Sequence, residues 1–245
     1  MESTVASVLH RLRGGNSSAP RLTWYGPDGE RVELSGRVLD NWAAKTSNLL
    51  VEELDAESGT RVRLDLPPHW KSAVIALAAL QAGCVLVDGE ADLVFSAESG
   101  GVGPTGSSSG GAGSGVRGRS AGTARVVVAL GALDVAYRGE LAGGELDYAA
   151  LVRQFADSFE PFDPPGADDD AAHLGEERFT QAELLERFAE KAEAGARVLV
   201  DAGKPLREVL AALLGIWAAD GSVVLRHPDV EDTPKLRAAE RITAG

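Results

Sequence analysis

The chain has 245 residues, is 44% hydrophobic and 25% charged, and carries a formal charge of −13. That length and apolar share allow a real core, and the acidic balance argues against a nucleic-acid binder, whose affinity comes from basic side chains on phosphates. One cysteine, Cys84, excludes a disulfide framework, and four scattered histidines (His10, His69, His173, His227) leave little for a metal centre.

The N-terminus has an early acid and no long apolar run, which argues against a secretory leader. Leu22–Tyr25 and Arg31–Leu34 flank the turn-rich Gly26-Pro27-Asp28-Gly29 and predict an N-terminal hairpin. Ser35 then caps a helix whose apolar positions Val38, Leu39, Trp42, Ala43, Thr46, Leu49 and Leu50 share one face. Arg61–Leu66 reads as a strand ended by Pro67-Pro68, and Trp70–Ala82 as a helix apolar on all sides, hence buried. Gly83 closes that helix and Cys84–Val87 is a short buried strand. The apolar run from Ala73 to Val87 falls short of the roughly 20 residues a bilayer span needs, so no membrane contact is expected and the chain is expected to be cytoplasmic.

Asp92–Phe95 and Arg125–Leu130 are strands on either side of a segment, 99–122, that holds ten glycines and six serines in 24 positions. Such a segment buries too little to offset its ordering entropy and is expected to be a flexible loop. It divides the chain into 1–98 and 123–245, two α/β halves. In the second half, Asp147–Ser158 reads as a helix and Asp163–Gly175 as an acidic, proline-marked loop. Thr180-Gln181-Ala182-Glu183 is a capping box opening a helix to Glu193. Arg197–Asp201 is a strand, Pro205 starts a helix reaching Ala219, Ser222–Leu225 is a strand and Pro234–Arg241 a last helix. Strands alternating with helices predict an α/β fold with a mostly parallel sheet wrapped by helices.

The succession carries a resemblance. Val32 to Ala43 resembles the opening helix of adenylate-forming enzymes, the AMP-binding, acyl-CoA synthetase-like superfamily. Thr60–Pro68 followed by Ala73–Asp88 is similar to the next strand, loop, helix and Gly-strand block of that superfamily. Arg197–Leu225 and Pro234–Thr243, with Glu240-Arg241-Ile242-Thr243, resemble the elements that the superfamily places after its phosphate loop. The likeness implies the fold of the first part of that family's N-terminal domain, in the truncated layout of a short group of uncharacterised bacterial proteins. It also implies what is missing. The family's loop of the type T-S-G-T-T-G-x-P-K-G would stand between Asp168–Asp170 and Thr180, where only His173-Leu174-Gly175-Glu176-Glu177-Arg178-Phe179 is found. Glu176 and Glu177 would repel a triphosphate. The adenine and ribose motifs and the small domain with the catalytic lysine are also absent from this sequence.

These departures make the expected function non-catalytic, a binding or interaction module with no cofactor, no metal and no catalytic residue assigned. The alternative is a half-site of an acyl or aryl adenylating ligase completed by a partner protein; an unknown protein partner or a homo-oligomer fits either reading. Four matches are decoys. Pro104–Gly111 is phosphate-loop-like in composition but no lysine and helix follow it. Tyr25–Glu30 is a hairpin turn, Gly203-Lys204 precedes Pro205 in a strand-to-helix turn, and the Asp163, Asp168–Asp170 cluster lacks calcium-loop spacing. Cys84 reads as a small core residue. In parallel sheets, ligands sit at the carboxyl ends of strands, which nominates Pro67, His69, Asp88, Gly131, Asp201, Lys204 and His227. Asp201, Lys204 and His227 come from adjacent units and are the candidate ligand-binding set.

Overall fold

The computed structural model describes residues 4–100, 123–131, 133–189 and 192–245. Most of the predicted 99–122 loop lies outside the described residues. In chain order the elements are α1 (Val5–Gly14), β1 (Pro20–Tyr25), β2 (Arg31–Ser35), α2 (Gly36–Asn48) and β3 (Arg61–Asp65). There follow α3 (Trp70–Gln81), β4 (Val85–Val87), β5 (Leu93–Ser96), β6 (Ala124–Val127), β7 (Leu146–Asp147) and α4 (Tyr148–Leu151). Then come β8 (Asp170–Leu174), β9 (Glu177–Thr180), α5 (Gln181–Ala189), β10 (Arg197–Asp201), α6 (Leu206–Ala218), β11 (Ser222–Arg226) and α7 (Pro234–Ala239).

Two sheets form. One runs β10-β11-β1-β2, parallel except for β2, which closes the N-terminal hairpin. The other runs β7-β6-β5-β3-β4-β8-β9, parallel except for β9. Each sheet takes strands from both sides of residues 101–122.

Helix α3 explains how the sheets share one interior. Every one of its residues is buried, as its lack of a polar face requires. Ala73, Val74, Leu77 and Leu80 pack with α1, β1, α6 and β11, whereas Ile75, Ala78 and Ala79 pack with β3, β5 and β6. A fully buried leucine contributes about 1.5–3 kcal/mol, so this helix is the main apolar link between the layers. Two buried polar side chains stitch the layers together. Gln181 accepts from the Val5 amide (3.1 Å) and donates to the Leu80 carbonyl (3.0 Å), tying α1, α3 and α5 together. The Trp217 indole donates to the Arg21 carbonyl at 3.0 Å.

Helix α6 approaches α5 closely because Gly215 has no side chain; a Cβ there would press on the Phe188 carbonyl oxygen. Gly215→Ala is expected to lower stability by about 1–3 kcal/mol in urea unfolding, with a surface alanine substitution on α6 as the control.

Three expectations are corrected. The chain has an additional helix, α1, whose cap is Thr4 with Ser7 reciprocating. Asp170–Leu174 is a strand rather than part of a loop, because β4 supplies it with a parallel partner through Leu86 and Val87. The helix expected over 147–158 leaves α geometry after Leu151 and becomes a 3₁₀ turn over Val152–Gln154. Beyond it Lys45 and Asn48 donate to the carbonyls of Phe155, Ala156 and Ser158, oxygens that a continuing helix would need for itself.

Candidate functional site

Two neighbouring cavities open along the parallel strands and share Leu174, Phe188, Arg207 and Ala211 in their walls. The smaller, about 230 Å³, lies between the ends of β3, β4 and β8 and the helices α5 and α6. Leu64, Leu86, Leu174, Leu184, Leu206 and Leu210 give it an apolar wall. Its rim is charged but mostly self-satisfied. Arg63 holds Asp65 with two bonds of 2.9 and 3.0 Å. The Asp88 carboxylate accepts from the Gly175 amide at 2.8 Å. Arg207, on the first turn of α6, makes no hydrogen bond or ion pair with any described residue, and it is the rim's uncommitted cation.

Leu174, Phe188, Arg207 and Ala211 also border the larger cavity, an open groove of about 1010 Å³ along β10. Asp201 and Lys204 line this groove. Asp201 accepts from the Gly203 amide (2.9 Å) and pairs with Arg226 (3.3 Å), leaving the Lys204 ammonium free of described partners. On the outer edge of β10 the chain's own residues pair in parallel, Val198 with Ala244.

His227 does not line the groove. Its Nδ1 accepts from the Asp229 amide at 3.2 Å and its ring meets Trp24 edge-on, 6.1 Å between centroids. Thus the structure brings Asp201 and Lys204 together and puts His227 in a separate aromatic cluster. That cluster holds His69, 4.7 Å from Trp24 and 4% exposed. His69 caps α3, its Nδ1 accepting from the Lys71 amide at 3.1 Å, and burial lowers its pKa to about 3. It is a neutral imidazole with the proton on Nε2.

Of the other nominated positions, the Pro67 carbonyl accepts from Ser72 and the Gly131 carbonyl from Lys71. Lys71 also donates to the Ala129 carbonyl at 2.5 Å, and burial lowers its pKa to about 8. Cys84 is fully buried, and burial pushes its thiol up to about 12. Sequence reasoning missed Arg207. The only available signal was its place one turn into a helix that follows a strand end.

No family model matches the chain. A Mycobacterium tuberculosis protein of the TIGR03089 family is 39% identical over 92 residues, 36% of this chain and 38% of that protein. Brucella canis acyl-CoA synthetase superposes with a TM-score of 0.67 at 15% identity, covering 97% of this chain and 45% of its own. The inhibitor-bound N-terminal domain of Mycobacterium tuberculosis FACL13 gives 0.66 at 14% identity, over 99% of this chain and 62% of that one.

The fold is that of part of the N-terminal domain of acyl-CoA synthetases.

The chain spans less than half of the Brucella canis acyl-CoA synthetase. The connection between β8 and β9 is short. Where the resemblance puts a glycine-rich phosphate loop, two residues, Gly175 and Glu176, join the antiparallel strands. Gly175 adopts φ +64°, which the tight turn requires and which a side chain would disfavour. Its amide is already taken by Asp88, at 2.8 Å.

Proposed function

We propose that the chain is a binding module that holds a small carboxylic acid with an apolar tail and does not adenylate it. One observation carries the second half of this reading: the Gly175 amide is occupied by the Asp88 carboxylate in a two-residue turn. Adenylation requires fixed donors and cations around a phosphorus centre as charge develops. Here an acid fills the amide and Glu176 stands beside it, so a triphosphate meets repulsion.

The acid-binding half is supported by the adjacent leucine-lined cavity and the unpaired Arg207 at its rim. At about 230 Å³ the cavity is smaller than the usual range of roughly 300–1,000 Å³ for ligand pockets, which favours a short tail. Each buried methylene adds about 0.8 kcal/mol, so affinity should climb along a series of straight-chain acids until the cavity is full.

Calorimetric titration with that series is the test. The expected result is a chain-length dependence that ends abruptly, with Arg207→Glu weakening binding at least about tenfold, a loss of about 1.4 kcal/mol. Alkylamines binding as well as the acids would overturn the ligand class. Pyrophosphate release from ATP, magnesium and acid by the isolated chain would overturn the non-catalytic reading.

A second reading is favoured by the strand-like seating of Ala244 on β10 beside the 1010 Å³ groove. In it a separate polypeptide occupies the groove and completes an adenylating site. It is distinguished by pyrophosphate release that appears only in the complex.

A further inference from the structure

Hydrogen-bond donors without acceptors gather at the start of α3. The Nε1 of Trp70, the Nε2 of His69 and the Nε1 of Trp24 are each buried and make no hydrogen bond with a described residue. Their rings form one cluster, His69 lying 4.7 Å from Trp24 and 5.8 Å from Trp70 between centroids. A buried donor left unpaired costs about 1–3 kcal/mol, so a ligand that brings an acceptor is favoured there.

Trp70 also walls a cavity of about 100 Å³ with Trp42, Tyr148, Lys71 and Arg153. Trp42 meets Trp70 edge-on, 5.3 Å between centroids, and the Tyr148 hydroxyl is hydrogen-bonded to Thr46 at 2.8 Å. Lys71 gives two of its three ammonium protons to the Ala129 and Gly131 carbonyls, and the third has no described acceptor. Arg153 is exposed and makes no hydrogen bond or ion pair with a described residue. Asp134 is the one acid among the described lining residues, and Arg138 pairs with it at 2.9 Å. Glu30 and Asp147, the other acids whose charge reaches Lys71, do not line the cavity.

We propose that this cavity binds a compact monovalent oxyanion, a carboxylate of one to three carbons or bicarbonate, which accepts from Arg153 and from the third Lys71 proton. Three properties select that class. The unpaired side-chain groups of the wall are donors, so the occupant must accept, and a guanidinium fork matches two oxygens on one carbon. Two lining cations stand against one acid, so a single negative charge balances the wall. The volume equals roughly three water molecules' share of the liquid, enough for an anion of that size and too little for a longer chain. The inference is independent of the acid-binding reading, since this cavity and the leucine-lined one share no residue.

Tryptophan fluorescence at neutral pH and constant ionic strength tests it, because Trp42 and Trp70 stand in the wall. Titration with sodium acetate or sodium bicarbonate should give a saturable change, and the tighter of the two names the source. Arg153→Glu should weaken binding at least about tenfold, Arg153→Lys much less, and Arg207→Glu not at all. In the Arg207→Glu chain, octanoate, too long for this cavity, and sulfate, which is divalent, should fail to displace the bound anion. Arg153 is exposed, so its variants should melt with the wild type. No saturable change with either anion would overturn the proposal, as would equal affinity in Arg153→Glu or a matching response to ethylammonium chloride.

Discussion

Acidification from about pH 7.5 to about pH 4.5 is expected to cost the folded chain about 3 kcal/mol through one side chain, His69. The imidazole is 4% exposed, and burial lowers its pKa from 6.5 to about 3, with Lys71 and His227 adding repulsion. Between those two values the unfolded chain binds a proton that the folded chain does not. Stability therefore rises with pH across this window and is lost as pH falls from 6.5 toward 3. His69→Asn separates this effect from other acid-labile groups. Asparagine is a good N-cap, so it can still accept from the Lys71 amide, yet it does not titrate. In urea unfolding across the range, the stability difference between variant and wild type should shift in the variant's favour as pH drops. Parallel curves would remove His69 from the account.

The second large effect is placed at Glu240. Its carboxylate, 6% exposed, accepts from the Tyr25 hydroxyl (2.5 Å), from Arg31 (2.9 and 3.1 Å) and from Arg197. Arg197 also donates to Thr23 at 3.0 Å and to the Glu240 carbonyl at 2.6 Å. This knot ties α7 to the four-stranded sheet. Burial alone would raise the Glu240 pKa, but the bonds from Tyr25, Arg197 and Arg31 outweigh it and hold the group below its usual value. Removing one member of a buried pair strands the other, at about 3–5 kcal/mol. Glu240→Ala should show that loss by chemical unfolding. Glu240→Gln should lose less, because the amide oxygen can still accept. Because the carboxylate is held charged, its contribution persists above its ordinary pKa of 4.5 and fades below it, outside the His69 window down to about pH 4.5. A neutral Glu240→Ala variant would show that the knot is solvated in practice.

Elements whose pattern is a local property are legible in the sequence. The all-apolar Trp70–Ala82 stretch predicts a buried helix and α3 is one, because a helix without a polar face has nowhere else to go. The Gly-Pro-Asp-Gly hairpin is legible from turn chemistry, Asp28 and Gly29 both taking positive φ. The features that escape depend on distant partners. Asp170–Leu174 carries an acid and a histidine, and nothing in its own composition reveals the strand edge that β4 offers it. The false extension of the helix beyond Leu151 arises from good apolar spacing, which the donors Lys45 and Asn48 override. The site obeys the same rule. The carboxyl-end argument reaches Asp88, Asp201 and Lys204. That Arg207 is unpaired and that Asp88 fills the Gly175 amide are tertiary facts. Strand position groups His227 with Asp201 and Lys204, and the structure aligns it with Trp24 instead.

Direct titration of the chain with magnesium–ATP, followed by phosphorus NMR of the nucleotide, tests the central claim most directly. With the β8–β9 turn closed and its amide held by Asp88, no saturable heat and no shift of the β- or γ-phosphate resonances are expected. Saturable binding with perturbed phosphate resonances, lost on lengthening or mutating the Gly175–Glu176 turn, would contradict it.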